Sequence, residues 1–111
     1  MMKEDIEHYI SEISRVLRKR GRCLITYFLI NDESLKLMAD KTSEMNFIPY
    51  RDKSWVINPE LPEDAVAYNE SFILELYQKY GLIPKQPFLY GSWCKRKKYL
   101  SYQDIIIAAK I

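Results

Sequence analysis

Eight consecutive residues, Cys23 to Ile30, are almost all apolar and follow directly on Gly21 and Arg22. The run does not alternate between apolar and polar side chains, which predicts a strand at 22–30 that is buried on both faces. Such strands are typical of parallel sheets with helices on either side. A strand that needs this much cover is the strongest constraint on how a chain of 111 residues folds.

Three segments are predicted to be helices. Those at 4–20, before Gly21, and at 70–80, between Asn69 and Gly81, have the apolar side of an amphipathic helix. The third, a short helix at 32–39, is predicted because Asn31 and Asp32 can cap its start. The first carries acidic residues near its start and basic residues near its end, which favours the helix dipole.

The remaining segments are less regular. Residues 40–67 hold three prolines and no sustained period, which predicts a long irregular excursion with one short strand at 54–57. Residues 82–93 are typical of a broken or edge strand, and residues 103–110 predict a last strand that closes an antiparallel hairpin. We therefore expect an α/β fold with a small mixed three-stranded sheet, formed by a parallel crossover plus the C-terminal antiparallel hairpin, with flanking helices.

Composition narrows the functional classes. The chain is short enough for a single domain at 1–111, and its net charge of +2 is too small to indicate a polyanionic partner. No apolar stretch is long enough to span a membrane, and the charged N-terminus lacks the apolar core of a signal peptide. The cysteines, Cys23 and Cys94, have no metal-binding or redox spacing. We therefore expect a cytoplasmic location and no metal site.

Three stretches together resemble the C-terminal half of the catalytic domain of class I S-adenosylmethionine-dependent methyltransferases. They are "EDIEHYISEISRVLRKRGRCLITYFLIN", "AVAYNESFILELYQKYGLIP" and "LYGSWCKRKKYLSYQDIIIAAK". Val16 and Leu17 match the end of a family helix, and Gly21 and Arg22 match its turn and strand entry. The last stretch is similar to the closing hairpin of a subgroup with a Gly-Ser-Trp turn. The resemblance spans nearly the whole chain and implies a truncated Rossmann-like methyltransferase fold.

The sequence departs from the family in two places. Lys19 and Arg20 stand where the family has proline and glycine before Gly21. More importantly, family members bind the cofactor with a glycine-rich turn and an acidic residue after their first two strands. This chain has three glycines, Gly21, Gly81 and Gly91, far apart, and it lacks the first four strands of the fold.

These departures decide what the resemblance implies for function. S-adenosylmethionine is the cofactor of the family, but we expect this chain alone to bind no cofactor and to be inactive, and we assign no catalytic residue. Whether the chain is an enzyme is therefore left open. The sequence looks cut from a larger domain. Strand 22–30 would then be an uncovered edge that pairs with the missing N-terminal half or, in a homodimer, with a second copy.

Aromatic residues are the candidates for a substrate site. Tyr50, Trp55, Tyr90 and Trp93 are expected on the substrate side of a complete enzyme, and Tyr68 has the same interpretation. For Tyr50, Trp55 and Tyr68 the alternative is that the rings fill a small core.

Other features have alternative interpretations. The basic segment at 95–98 is either a solvated hairpin loop or a small nucleic-acid-binding site in which Tyr90, Trp93 and Tyr99 stack on bases. A homodimeric or partner-binding interaction module is the remaining alternative. His8 is interpreted as a helix-surface residue.

Overall fold

Three helices and two sheets make up the fold in the part of the chain that a computed structural model describes, residues 3–50, 53–62, 65–86, 88–96 and 101–111. In chain order the elements are α1 (Lys3–Val16), β1 (Arg22–Tyr27), β2 (Leu29–Ile30), α2 (Asp32–Ala39), β3 (Ile48–Pro49), β4 (Ser54–Val56), β5 (Val66–Asn69), α3 (Glu70–Lys79), β6 (Leu82–Pro84) and β7 (Asp104–Lys110). The arrangement is a compact mixed α/β fold.

Helix α1 ends at Val16, earlier than the predicted end at residue 20. The chain reverses direction here, because the N–H of Gly21 donates to the carbonyl of Arg18 at 2.8 Å and Arg20 adopts a left-handed φ of 67°. A side chain rarely tolerates that conformation without cost, so the turn carries mild strain at Arg20. Ile6 and Ile10 of the predicted apolar stripe are buried, whereas Tyr9 and Val16 of the same stripe are exposed.

The predicted strand at 22–30 is two strands with different environments, and the expectation of burial on both faces is wrong for the first. In β1 the side chains alternate, with Leu24 exposed and Ile25 and Tyr27 buried. Both residues of β2 are buried. The sequence did not reveal this difference. An apolar run shows that both faces of a strand can be buried, but it does not show whether a helix or another sheet covers both faces.

The first sheet has the strand order β1-β7-β6, and both of its pairings are antiparallel. The predicted mixed three-stranded sheet is therefore wrong. The crossover through α3 does return β6 in the direction of β1, but β7 lies between them. The C-terminal hairpin of β6 and β7 is confirmed, as is the position of the last strand beside β1. Helices α1 and α3 both pack on one face of this sheet.

The predicted irregular excursion at 40–67 instead supplies strands to a second sheet of order β2-β5-β4-β3. Strand β5 is parallel to β2, and the other pairings are antiparallel. The short strand predicted at 54–57 is confirmed as β4. The flanking strands β3 and β5 are only two and four residues long, too short to show a period in the sequence.

Helices α2 and α3 lie where they were predicted. Asn31 caps α2 through a reciprocal capping box with Ser34, in which each side chain bonds the other residue's backbone N–H. Helix α3 ends before Gly81, which has a φ of 71° and so needs the freedom of glycine. No helix in these described ranges is long and apolar enough to cross a membrane.

Candidate functional site at the carboxyl ends of the strands

Two helices begin side by side at one end of the fold. Strands β2 and β5 are parallel, and each leads directly into a helix, β2 through Asn31 into α2 and β5 through Asn69 into α3. Strand β7 runs the other way and begins at the same end with Asp104, which lies opposite Tyr27. In α/β folds this carboxyl end is where ligands generally bind.

Asp104 is the centre of a buried polar network at this end. Its side chain is fully buried, and its two oxygens together accept four hydrogen bonds. Oδ2 accepts from the backbone N–H of Leu29 at 2.7 Å and from Nε1 of Trp93 at 2.9 Å. Oδ1 accepts from the backbone N–H of Gly91 at 2.7 Å and from Nη1 of Arg96 at 3.1 Å. A carboxylate with all its acceptor positions occupied anchors the structure and is a poor general base.

Arg96 connects this anchor to the solvent-facing rim. Its side chain is 4% exposed, yet Nε donates to Glu33, whose side chain is 60% exposed. The guanidinium also donates to the carbonyl of Gly91 at 3.2 Å and lies 4.7 Å from the ring centre of Tyr90. The guanidinium plane is therefore held by hydrogen bonds at its edge and by an aromatic ring on its face.

Glu70, Tyr90 and Asn31 complete the rim. The Tyr90 hydroxyl donates to Oε1 of Glu70 at 2.5 Å, and Nδ2 of Asn31 donates to the same oxygen at 3.4 Å. Burial and the adjacent Glu70 carboxylate raise the pKa of Tyr90, so its hydroxyl keeps its proton. The rim thus presents two carboxylates, an amide and a phenol, groups that recognise a hydroxyl or an amine. No group of three metal-ligating side chains occurs among the residues described.

The four predicted substrate-side residues have four different environments. Trp93 is fully buried and packs edge-on to Phe47, with the ring centroids 5.3 Å apart, so it is a core residue. Tyr90 belongs to the polar rim. Trp55 is half-buried, and its Nε1 donates to Oδ1 of Asn69 at 2.7 Å, beside the start of α3. Tyr50 is half-buried after β3.

Most of the network was not predicted as a site from the sequence. Glu33 and Glu70 are ordinary first-turn residues of their helices, and Asn31 was identified only as a cap. A usable signal did exist at Asp104, because an acidic residue that directly precedes an apolar strand requires buried donors. Arg96 lies among three lysines in the sequence, and nothing local distinguishes it from a solvated basic residue.

The basic segment at 95–98 is not a uniformly solvated loop. Arg96 points inward, and Lys95 forms an ion pair of 2.8 Å with Glu44. Lys97, Lys98 and Tyr99 lie outside the described residues. The two described cations are therefore both engaged by carboxylates, which weakens the nucleic-acid interpretation of this segment. His8 lies on the exposed face of α1, as predicted.

A groove runs along the outer edge of β1. Its volume is about 470 Å³, and its lining includes Tyr9 from α1, Leu24 and Thr26 from β1, and Val66 from β5. The backbone N–H of Lys110 donates to the carbonyl of Gly21 at 2.8 Å. Hydrogen-bonded and non-hydrogen-bonded pairs alternate along an antiparallel ladder, so this bond shows which residues of β1 bond to β7. The backbone groups of Arg22, Leu24 and Thr26 consequently point away from β7 and toward the groove.

The three glycines all serve the fold of the chain itself. A Cβ atom at Gly91 would lie 2.2 Å from the carbonyl oxygen of Tyr102, and one at Gly21 would lie 2.8 Å from the carbonyl of Arg18. Both glycines are needed for close approach of the chain to itself, and Gly81 is needed for a helix end. None of the three is placed to let the backbone approach a ligand, which is the role of glycines in a dinucleotide-type loop.

No protein-family model matches the chain, and no solved structure matches it significantly.

Proposed function

We propose that this chain is the C-terminal half of a methyltransferase-like domain, and that it acts only when another polypeptide segment pairs with the free edge of β1. The resemblance in sequence implies a truncated Rossmann-like fold in which the last strand lies beside strand 22–30. The pairing of β7 with β1 supports this arrangement, as does the return of β6 in the same direction as β1.

The observation that carries the proposal is the outer edge of β1, which no described strand pairs with and which has a groove of about 470 Å³ beside it. An unpaired edge offers a row of donors and acceptors to another strand. Here Leu24 and Thr26 supply those groups, and the apolar lining of the groove would receive the side chains of the added strand. In the complete domain this position would hold a neighbouring parallel strand.

In the complete methyltransferase, this chain would bind and orient the methyl acceptor. The rim of Glu33, Glu70, Tyr90 and Asn31 lies at the carboxyl end of the strands. In the second sheet, Trp55 lies on β4 and Tyr50 directly follows β3. Orientation of the acceptor is the contribution that such a transfer needs most from the protein. The cofactor would be held by the glycine-rich half.

Calorimetric titration of the purified chain with S-adenosylmethionine and with its demethylated product tests the division of labour. We expect no binding of either compound. Binding of either one tighter than about micromolar, which corresponds to roughly 8 kcal/mol, would show that the chain has a cofactor pocket of its own and would contradict the proposal.

The DNA upstream of the Met1 codon provides the positive half of the test. We expect a reading frame there, continuous or frameshifted, that encodes an apolar strand followed by a glycine-rich turn. A different kind of coding sequence, together with no binding of the cofactor, would favour self-association over the methyltransferase proposal.

A second candidate function is self-association at the same edge. Two copies related by a two-fold axis would pair β1 with β1 and occupy both grooves. The free edge favours this function as much as it favours a separate partner, and the exchange experiment in the Discussion separates the two.

A further inference from the structure

The face of the β1-β7-β6 sheet opposite α1 and α3 is apolar and exposed. Directly paired residues share a face of an antiparallel sheet, and Leu24 lies opposite Ile107 while Ile83 lies opposite Ala109. Leu24 is 60% exposed and Ile83 is 57% exposed. These four side chains extend across all three strands, and we call them the outer apolar face.

Two shallow concavities cross this face, with volumes of about 290 and 170 Å³. Both are lined by Lys85 and Ile107, so together they form one trough. Three strands at a spacing of about 4.8 Å give a floor about 10 Å across. That width matches the diameter of a single helix, and helices are the elements that most often cover a sheet face in mixed folds.

The charges at the margin of the trough indicate what kind of helix fits. Arg22 and Lys85 are both exposed and both line the larger concavity, and no carboxylate lines either concavity. Within the described ranges, neither cation forms an ion pair. A second copy placed face to face would bring these cations into the neighbourhood of their own equivalents, and like charges at a desolvated interface are unfavourable.

We infer that the outer apolar face, with Arg22 and Lys85 at its margin, binds an amphipathic helix whose apolar stripe is flanked by carboxylates. The apolar stripe would cover Leu24, Ile83 and Ile107, and the carboxylates would pair with the two cations. This inference does not depend on the methyltransferase proposal, because it concerns the sheet face and not the edge of β1.

Two synthetic peptides of about 18 residues test the inference, since that length gives a helix of about five turns. Both carry leucines at helical spacing, one with glutamates beside the stripe and the other with lysines. Fluorescence anisotropy of each labelled peptide is measured against increasing protein. We expect the glutamate peptide to bind at least tenfold tighter than the lysine peptide, and to bind more weakly at high salt because salt screens exposed charges.

Variants locate the binding surface. Ile83→Gln removes an exposed apolar side chain without changing charge, and it should weaken binding of the glutamate peptide about tenfold or more. Lys85→Glu should remove most of the preference for the glutamate peptide. Leu61→Gln is the matched control, because Leu61 is 54% exposed and lies in the segment between β4 and β5. Circular dichroism checks that each variant is folded. If Ile83→Gln does not fold, the binding of the two peptides to Lys85→Glu tests the inference instead.

Four results would overturn the inference. They are the absence of binding by the glutamate peptide, equal binding of the two peptides, equal loss in Ile83→Gln and Leu61→Gln, and partition of the protein onto anionic phosphatidylglycerol vesicles in preference to the glutamate peptide. Light scattering adds a fifth, since self-association that Ile83→Gln abolishes would assign the face to a second copy.

Discussion

The side chains of Arg96 and Asp104 form an ion pair of 3.1 Å in which both groups are almost completely buried, at 4% and 1% exposure. Removing two charges from water is costly, and the cost is offset here because each group has further partners, Leu29, Gly91 and Trp93 for the carboxylate and Glu33 for the guanidinium. The pair therefore joins the loop after β6 to β2 and to the start of α2.

Loss of this pair should be strongly destabilising. Arg96→Met keeps most of the side-chain volume and leaves Asp104 without its countercharge, which should lower the free energy of unfolding by about 3 kcal/mol. Lys95→Met is the matched control, because the Lys95–Glu44 pair is half exposed and screened by water, so its loss should lower stability much less. Urea unfolding measures both variants. Equal losses would mean that the network contributes no more than a surface pair.

The buried hydroxyls of Tyr27 and Tyr77 should show non-additive effects. They are 2.6 Å apart inside the main core, on β1 and α3. Tyr27→Phe leaves the hydroxyl of Tyr77 without its partner and should cost about 1 to 2 kcal/mol, and Tyr77→Phe should cost a similar amount. The double variant should cost less than the sum, because it leaves no unpaired hydroxyl. A double-mutant cycle measures the coupling, and strict additivity would contradict the pairing.

The contact between these two hydroxyls is long-range in sequence, and such contacts are the part of the fold that the sequence could not predict. The capping box of α2 and the glycine stop of α3 are local, so their residue types identify them. The Tyr27–Tyr77 contact joins residues 50 apart, and the Leu29–Asp104 bond joins residues 75 apart. No spacing rule predicts such contacts. The candidate rim was missed for the same reason, since Glu33, Glu70 and Tyr90 come together only after the strands have paired.

The apolar run at 23–30 was misinterpreted for a different physical reason. Its residues describe a strand that tolerates burial on both faces, and Leu29 is indeed fully buried. Leu24 is exposed because the helices cover only the opposite face of the sheet. A sequence records which faces are apolar, whereas the presence of a covering element depends on the rest of the assembly.

The fold should lose stability in alkaline solution. Burial raises the pKa of Cys94 to about 11 from its ordinary 9.0, and burial likewise raises the pKa of Tyr27 above its ordinary 10.0. Well below pH 9, the ordinary pKa of a thiol, both groups hold their protons in the folded and unfolded chains, so they do not make stability depend on pH. As the pH rises further, the unfolded chain releases protons first, and unfolding becomes more favourable.

Urea unfolding at several values between about pH 8 and pH 10 measures this effect. Cys94→Ala should reduce the loss of stability over the upper part of that range, and Cys23→Ala should reduce it less because Cys23 is only partly buried. A free energy of unfolding that stays constant to pH 10 would contradict the predicted direction.

Gly91 should be far less replaceable than Gly81. A Cβ at Gly91 meets backbone atoms of Tyr102 and Gln103 at 2.2 to 2.5 Å, and backbone cannot move aside as a flexible side chain can. Gly91→Ala should therefore cost about 3 kcal/mol or more. Gly81→Ala meets no nearby atom but must adopt a positive φ, which costs about 1 kcal/mol. Similar losses of stability in the two variants would mean that the close approach at Gly91 is absent.

The edge of β1 gives the last prediction, which concerns hydrogen exchange. The backbone N–H groups of Cys23 and Ile25 point toward β7, whereas those of Leu24 and Thr26 point into the groove. In dilute protein we expect Cys23 and Ile25 to exchange slowly and Leu24 and Thr26 to exchange fast. If two copies pair at this edge, a higher protein concentration slows exchange at Leu24 and Thr26 selectively.

Proline substitution provides the control for this edge. Thr26→Pro removes an N–H that no β7 carbonyl uses, so the fold should persist, while the missing donor and the ring obstruct an added strand. Ile25→Pro removes a ladder bond and should cost about 3 kcal/mol or more. Concentration-dependent protection at Leu24 that Thr26→Pro abolishes would establish self-pairing. If protection at Leu24 and Thr26 is the same at low and high concentration, copies of the chain do not pair there, and the edge is left for a different strand.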